Sequence, residues 1–297
     1  VLSEFIHTRY VPYIREHKRS WQTDVRYVHR HILPYLGDCR LEDIDEEKLC
    51  RWKEELLAAG DVAGVILPEP NRYGIIEDFT GVADKIHAVK ATFGIYADPS
   101  TLAVLRTPGE WGADIACGDG QALGMPMQFG GPYLGFLSCS KGMLRKMPGR
   151  IVGATKDADG KRCFVLTLQA REQHIRREKA TSNICSNQSL MCLYATIYLA
   201  LMGREGLKEV NRISCDGAHY LQRRLMETGK FTPAFDKPFL KEFAMRTDLD
   251  VDALNRRLEE KGMMGPLKAD DGIVTFAVTE KRTKEEIDNL IKVIEED

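Results

Sequence analysis

The chain has 297 residues, 43% hydrophobic and 29% charged, the proportions of an ordinary soluble globular protein with room for about two domains. Its formal net charge of −2 supplies no global field for nucleic acid or a membrane surface. Eight cysteines stand without a CxxC pair, which argues against a zinc site or disulfide scaffold and predicts reduced thiols in a cytoplasmic protein.

The N-terminus VLSEFIHTRY has neither a basic start nor an apolar h-region, so no signal peptide is expected. SEFIHTRYVPYIREHK predicts a helix kinked at Pro12. Ser20 can cap a second helix, WQTDVRYVHRHILPYL, which Gly37 can close. Asp45 then opens a third, EEKLCRWKEELLAAG, stopped by Gly60. The spacing of Phe5, Tyr10, Pro12, Lys18, Ser20, Asp24, Ile32-Leu33-Pro34, Leu36-Gly37, Leu41 and Ile44 resembles the N-terminal core-binding domain of phage-integrase-type tyrosine recombinases. That resemblance implies a DNA-facing surface, with Arg15, Lys18, Arg19 and Arg26 as phosphate contacts. Six Lys/Arg stand against two acidic residues between Arg9 and Arg30, a balance that equally suits a solvated helix face.

After Gly60 the rhythm changes to strands alternating with helices. Val62–Leu67 is a continuous apolar run, predicted as a strand covered on both faces. Phe79–Lys90 has a helical period, Thr92–Ala97 is a second strand, Ser100 can cap a short helix TLAVLR, and Ala113–Cys117 is a third strand. This βαβαβ order predicts a parallel sheet with right-handed crossovers. Leu190–Met202 is too short to span a bilayer and is expected to be a buried core helix. It belongs to two long helices between Gln188 and Thr228. The tail alternates strand LKEFAMRT, helix DVDALNRRLEEKG, strand IVTFAVT, and a last helix with a Thr283/Glu286 capping box.

Two long strings carry a further resemblance: GEWGADIACGDGQALGMPMQFGGPYLG from Gly109, and the stretch from Met147 to Gln188 that includes REQHIRREKATSNI. From about Asp61 to the C-terminus the chain resembles the alpha chain of the two-subunit glycine decarboxylases, the P-protein family of the glycine cleavage system. The resemblance implies an α/β fold, a partial aspartate-aminotransferase-like (fold type I pyridoxal phosphate) large domain over 61–205 and an α+β small domain over 206–297, behind a helical unit over 1–60.

The resemblance also implies an activity. In the family, glycine is decarboxylated on pyridoxal phosphate and its aminomethyl group passes to the lipoyl arm of the H-protein. Asp98, after the second strand, matches the acidic partner of the cofactor's ring nitrogen; a plain Asp-Pro turn is an equal reading. The loop from Asp114 to Phe136 holds no lysine, and Gly120-Gln121-Ala122 stands where the resemblance implies the partner subunit carries the Schiff-base lysine. Lys141 lies beyond the next strand-like run, out of register. This implies a non-catalytic alpha chain, with the cofactor on a lysine-bearing subunit 2 (beta). Gln121, Gly130 and Gly131 are remnant cofactor-site positions, though GGP also marks an ordinary turn. Arg171, His174, Arg176, Arg177, Lys179, Asn183 and Asn187 are expected at the subunit interface or active-site mouth, and Asn71 is weighed toward a turn role. No catalytic residue and no metal ligand is assigned. A short three-strand sheet is expected to leave an edge and an apolar face uncovered.

Overall fold

Two prolines shape the N-terminal helices. A computed structural model describes residues 1–17, 21–40, 51–52, 55, 62–127, 130–168, 173–180 and 188–296, without the side chains of 23 and 174. Helix α1 (2–17) has α-helical ends, Leu2–Phe5 and Val11–His17, around a π-helical turn at Ile6–Tyr10. Helix α2 (21–36) repeats the pattern, with Trp21–Tyr27 and Leu33–Leu36 flanking π-helical Val28–Ile32. Pro12 and Pro34 lack an N–H and crowd the carbonyl four residues back, and the ladder widens just before each. The break expected at Pro12 is therefore a π turn. Gly37 ends α2 with its N–H on the Leu33 carbonyl (3.0 Å) but remains right-handed at φ −58°. Most of the helix expected over 45–60, with its start at Asp45 and its stop at Gly60, lies outside the described residues.

The chain divides into two compact units, residues 1–65 with 84–92, and residues 66–83 with 93–297. The first sheet has the order β1 (Gly64–Glu69), β2 (Thr92–Ala97), β3 (Ile115–Asp119), β4 (Gly135–Cys139). β2 and β3 pair parallel, Gly94 opposite Ile115, as the alternating pattern predicts. β4 pairs antiparallel with β3, Ile115 opposite Cys139. Helix α3 (Val82–Ala88) precedes β2.

One strand expectation needs correction. β1 is not covered on both faces: its residues alternate, and Ile66 is 66% exposed. As a terminal strand of the sheet it has no layer over that face among the described residues. The apolar run therefore marks an uncovered face, of the kind the short sheet was expected to leave.

Strands β5 (Val152–Lys156) and β6 (Arg162–Leu166) form a separate hairpin. Helix α4 (Ser189–Glu227) is two helices meeting at Gly203, whose φ of 59° and ψ of −173° interrupt the ladder. The buried core helix expected at Leu190–Met202 is corrected as well. Met191, Ala195 and Tyr198 pack on Leu123, Met125 and Leu134, but the adjoining stripe stands open, with Leu190 70% and Leu201 81% exposed. That face has a helical period and no described layer on it. Gly124 explains how closely the loop approaches: its φ is +86°, and a Cβ there would meet the Tyr198 ring at 2.4 Å.

The C-terminal part is a four-stranded sheet in the order β7 (Thr232–Pro233), β8 (Glu242–Arg246), β10 (Ile273–Ala277), β9 (Leu267–Asp270), antiparallel throughout. Helix α5 (Val251–Glu260) is capped by the Asp250 carboxylate, which accepts from the N–H groups of Asp252 and Ala253. Helix α6 (Lys284–Glu295) opens with the predicted Thr283/Glu286 capping box. These helices and the second half of α4 bury Leu225, Leu254, Leu258, Ile291 and Ile294 against Phe243, Met245 and Phe276.

Leu254 is fully buried there. Leu254→Ala should cost about 2–5 kcal/mol through lost burial and a residual cavity. A thermal melt by circular dichroism checks this; an unchanged midpoint would show that the cluster repacks freely.

Candidate functional site

At the end of β2 the chain turns sharply at Asp98. The Asp98 Oδ1 accepts the Ser100 N–H (2.9 Å) and the Ser100 hydroxyl (2.8 Å), and the Asp98 carbonyl accepts the Thr101 hydroxyl (2.8 Å). The carboxylate therefore organises the turn that follows. Ser100, expected as a helix cap, makes no cap bond; Thr101–Ala103 is a single 3₁₀ turn. The Asn211 amide of α4 donates to the Ser100 carbonyl (2.8 Å) and the Leu207 carbonyl (2.8 Å), tying helix to turn.

The Asp98 Oδ2 is engaged by Lys241 Nζ, and the same ammonium donates to Ser100 Oγ at 3.0 Å. Lys241 immediately precedes β8, and its carbonyl accepts the Val278 N–H (2.9 Å). Glu69, Pro70, Tyr96, Asp98, Lys241 and Glu242 line a cavity of about 200 Å³. Gly74 packs closely on the backbone of Glu242: at φ +78°, a Cβ would meet the Glu242 carbonyl at 2.0 Å.

Glu69 is 2% exposed. Trp111 Nε1 donates to its Oε1 at 3.3 Å, while Oε2 has no hydrogen-bond partner among the described residues. Burial raises this carboxyl above the usual range, outweighing the opposing effects of the Trp111 bond and the Arg106 charge. Arg106 itself stacks on Trp111, 4.1 Å from the ring centroid.

The remaining expected site residues are not gathered here. The Gln121 amide donates to the Met125 carbonyl (2.9 Å), and its backbone N–H to Asp119 Oδ1 (2.7 Å), so it closes its own turn. Gly130 and Gly131 both have positive φ, 124° and 106°, but a Cβ on Gly130 would meet nothing within 4 Å. Their glycines serve the backbone turn rather than a close approach among the described residues. Lys141 is exposed on the 3₁₀ turn Lys141–Lys146 that follows β4. Arg176, Arg177 and Lys179 are exposed. Arg171, Asn183, Asn187 and the His174 side chain lie outside the described residues, as do Lys18 and Arg19. Arg15 stacks over Trp21 at 5.3 Å, and Arg26 is exposed. Asn71 takes the turn role: its Oδ1 accepts the N–H groups of Tyr73 (2.9 Å) and Ile75 (3.1 Å).

Sequence reasoning missed Glu69 and Lys241. Lys241 was assigned to a strand, and 143 positions separate it from Asp98, so no spacing announces the pair. Glu69 carried a weak signal, a lone acid closing an apolar strand.

These residues do not fit pyridoxal phosphate on this chain. Asp98, expected to face the ring nitrogen, already has a cation, the loop expected to carry the Schiff-base amine has no lysine, and the cavity carries more carboxylates than ammonium groups, which opposes a phosphate ester. Among the described residues no group of acidic, His and Cys side chains is arranged to hold a metal, and no helix is long and apolar enough to cross a membrane.

A model of the glycine cleavage system P-protein family matches residues 23–294, reaching N-terminally of Asp61. The chain is 53% identical over 243 residues to a protein of Moorella thermoacetica described as a probable glycine dehydrogenase (decarboxylating) subunit 1, covering 80% of this chain and 55% of the relative. It thus spans about half the length of that curated relative. A crystal structure of glycine decarboxylase (P-protein) of the glycine cleavage system, in inhibitor-bound form, superposes with a TM-score of 0.76 at 39% identity, covering 84% of this chain and 63% of that one. An alanine–glyoxylate aminotransferase from Nostoc sp. superposes with a TM-score of 0.53 at 18% identity, covering 85% of this chain and 65% of the other, and shows the shared fold alone.

The raised Glu69 carboxyl has a pH signature. As pH rises above the ordinary carboxyl range toward the raised value, the unfolded chain gives up this proton while the folded chain keeps it. Folding stability then falls with pH and levels off above the raised value. Glu69→Gln removes this loss, so the melting temperature of the variant minus that of the wild type should be smallest near pH 4 and grow on the way to neutrality. A difference flat across that range would show that Glu69 ionises as easily folded as unfolded.

Proposed function

The chain belongs to the glycine cleavage system P-protein family, and we propose that it serves as the non-catalytic alpha portion of a glycine dehydrogenase (decarboxylating). The observation that carries this reading is the state of the inherited cofactor position. Gln121 stands in place of the Schiff-base lysine and is turned onto Met125, while Asp98 is spent on Lys241. A pyridoxal phosphate enzyme needs the amine to hold its cofactor covalently, and this loop offers none.

The active centre then belongs to a lysine-bearing subunit 2, with pyridoxal phosphate on that partner. The cofactor supplies the electron sink for decarboxylating glycine, and a lipoylated H-protein receives the aminomethyl group. This chain contributes walls and an interface. Arg176, Arg177 and Lys179, exposed beside one another, are suited to acidic groups on the partner or on the H-protein. Arg171, His174, Asn183 and Asn187 are assigned to the same mouth on the family resemblance.

The test is exchange of labelled bicarbonate into glycine. The chain alone should give none. Subunit 2 with H-protein should give more exchange when this chain is added, and borohydride should fix the cofactor to subunit 2. Exchange by this chain alone, or reduced cofactor on one of its lysines, would overturn the assignment.

A further inference from the structure

We infer that Lys241 is an internal substitute for the cofactor's ring cation: its ammonium neutralises Asp98, the carboxylate the fold inherits for a protonated pyridine nitrogen. To a carboxylate the two cations are equivalent, since each offers a charged N–H donor. Here both oxygens are engaged, Oδ2 by the Lys241 ammonium and Oδ1 by the Ser100 N–H and hydroxyl. An incoming pyridinium would meet a carboxylate already neutralised, with only the second lone pair of Oδ2 left beside the like-charged Lys241 ammonium.

Displacement is opposed by how the lysine is held. Its ammonium has a second acceptor in Ser100 Oγ at 3.0 Å, and its carbonyl is fixed by the Val278 N–H at 2.9 Å. The side chains of Lys241 and Asp98 are 16% and 24% exposed, so each would be left as a partly buried unpaired charge without the other. Glu69 and Glu242 complete a cavity in which Lys241 is the one cationic lining residue among those described. A ligand bearing a phosphate meets carboxylates there rather than free cations.

The remnant site is thus closed by charge as well as by loss of the lysine. We rest this on the reading that the cofactor belongs to the partner chain, and deepen it by naming what replaced the cofactor.

The experiment is a fluorescence titration of the full chain with pyridoxine, which carries the ring but neither the phosphate that the cavity's carboxylates oppose nor an aldehyde to modify surface lysines. Wild type and Lys241→Arg should show no saturable binding. Lys241→Met should bind at least about tenfold more tightly than wild type, and adding Asp98→Asn should remove the gain. Saturable wild-type binding that Asp98→Asn abolishes would overturn the inference, as would a folded Lys241→Met with no gain. Far-UV circular dichroism reports folding. Should Lys241→Met not fold, wild type against Asp98→Asn still decides: binding that depends on Asp98 overturns the inference, and its absence from both supports it. No partner subunit is present in the titration, so a failed exchange assay leaves its outcome untouched.

Discussion

Three separate pieces of the larger unit meet at one charge pair. Asp98 directly follows a strand of the first sheet, Lys241 directly precedes a strand of the second, and Ser100 between them is held by Asn211 from the long helix. Backbone hydrogen bonding within each sheet would be satisfied without this junction. Between the two sheets this polar cluster acts together with backbone bonds, such as that from the Ile76 N–H to the Pro238 carbonyl, and its groups largely satisfy one another. Such networks are costly when incomplete, because a buried donor or acceptor left alone keeps its full desolvation penalty. That gives Asp98 a structural role of its own.

The sequence disclosed local structure well and covering layers poorly. Thr92–Ala97 matches its strand end for end, and the Thr283/Glu286 box and the strand of IVTFAVT appear where pattern and caps place them. These depend on periods of two or 3.6 residues and on short-range hydrogen bonds, all legible within a dozen positions. Val62–Leu67 was expected to be covered on both faces and Leu190–Met202 to be a buried core helix because hydrophobicity reports what a surface would prefer to meet. It does not report whether anything is present to meet it. Ile66 and Leu201 are apolar and exposed.

The site divides along the same line. Asp98 was legible as a strand-end acid, and the loop from Asp114 to Phe136 is visibly without a lysine. Gln121 could be named but not its bond to Met125. Lys241 was hidden because charge pairing across two sheets leaves no trace in spacing. Glu69 was hidden because burial of a carboxylate is decided by Trp111 and its neighbours, far away in sequence.

The break at Gly203 has a dynamic consequence. On its C-terminal side α4 is locked into a core with α5, α6 and two strands of the second sheet; on its N-terminal side it rests on Leu123, Met125 and Leu134. With the ladder interrupted between them, unzipping of the first half need not propagate into the second. Amide protons before position 203 should then exchange through a local opening of low free energy, while those around Leu221 and Leu225 wait for the whole core to open. One continuous-looking rod therefore belongs to two cooperative units, and the glycine is the seam.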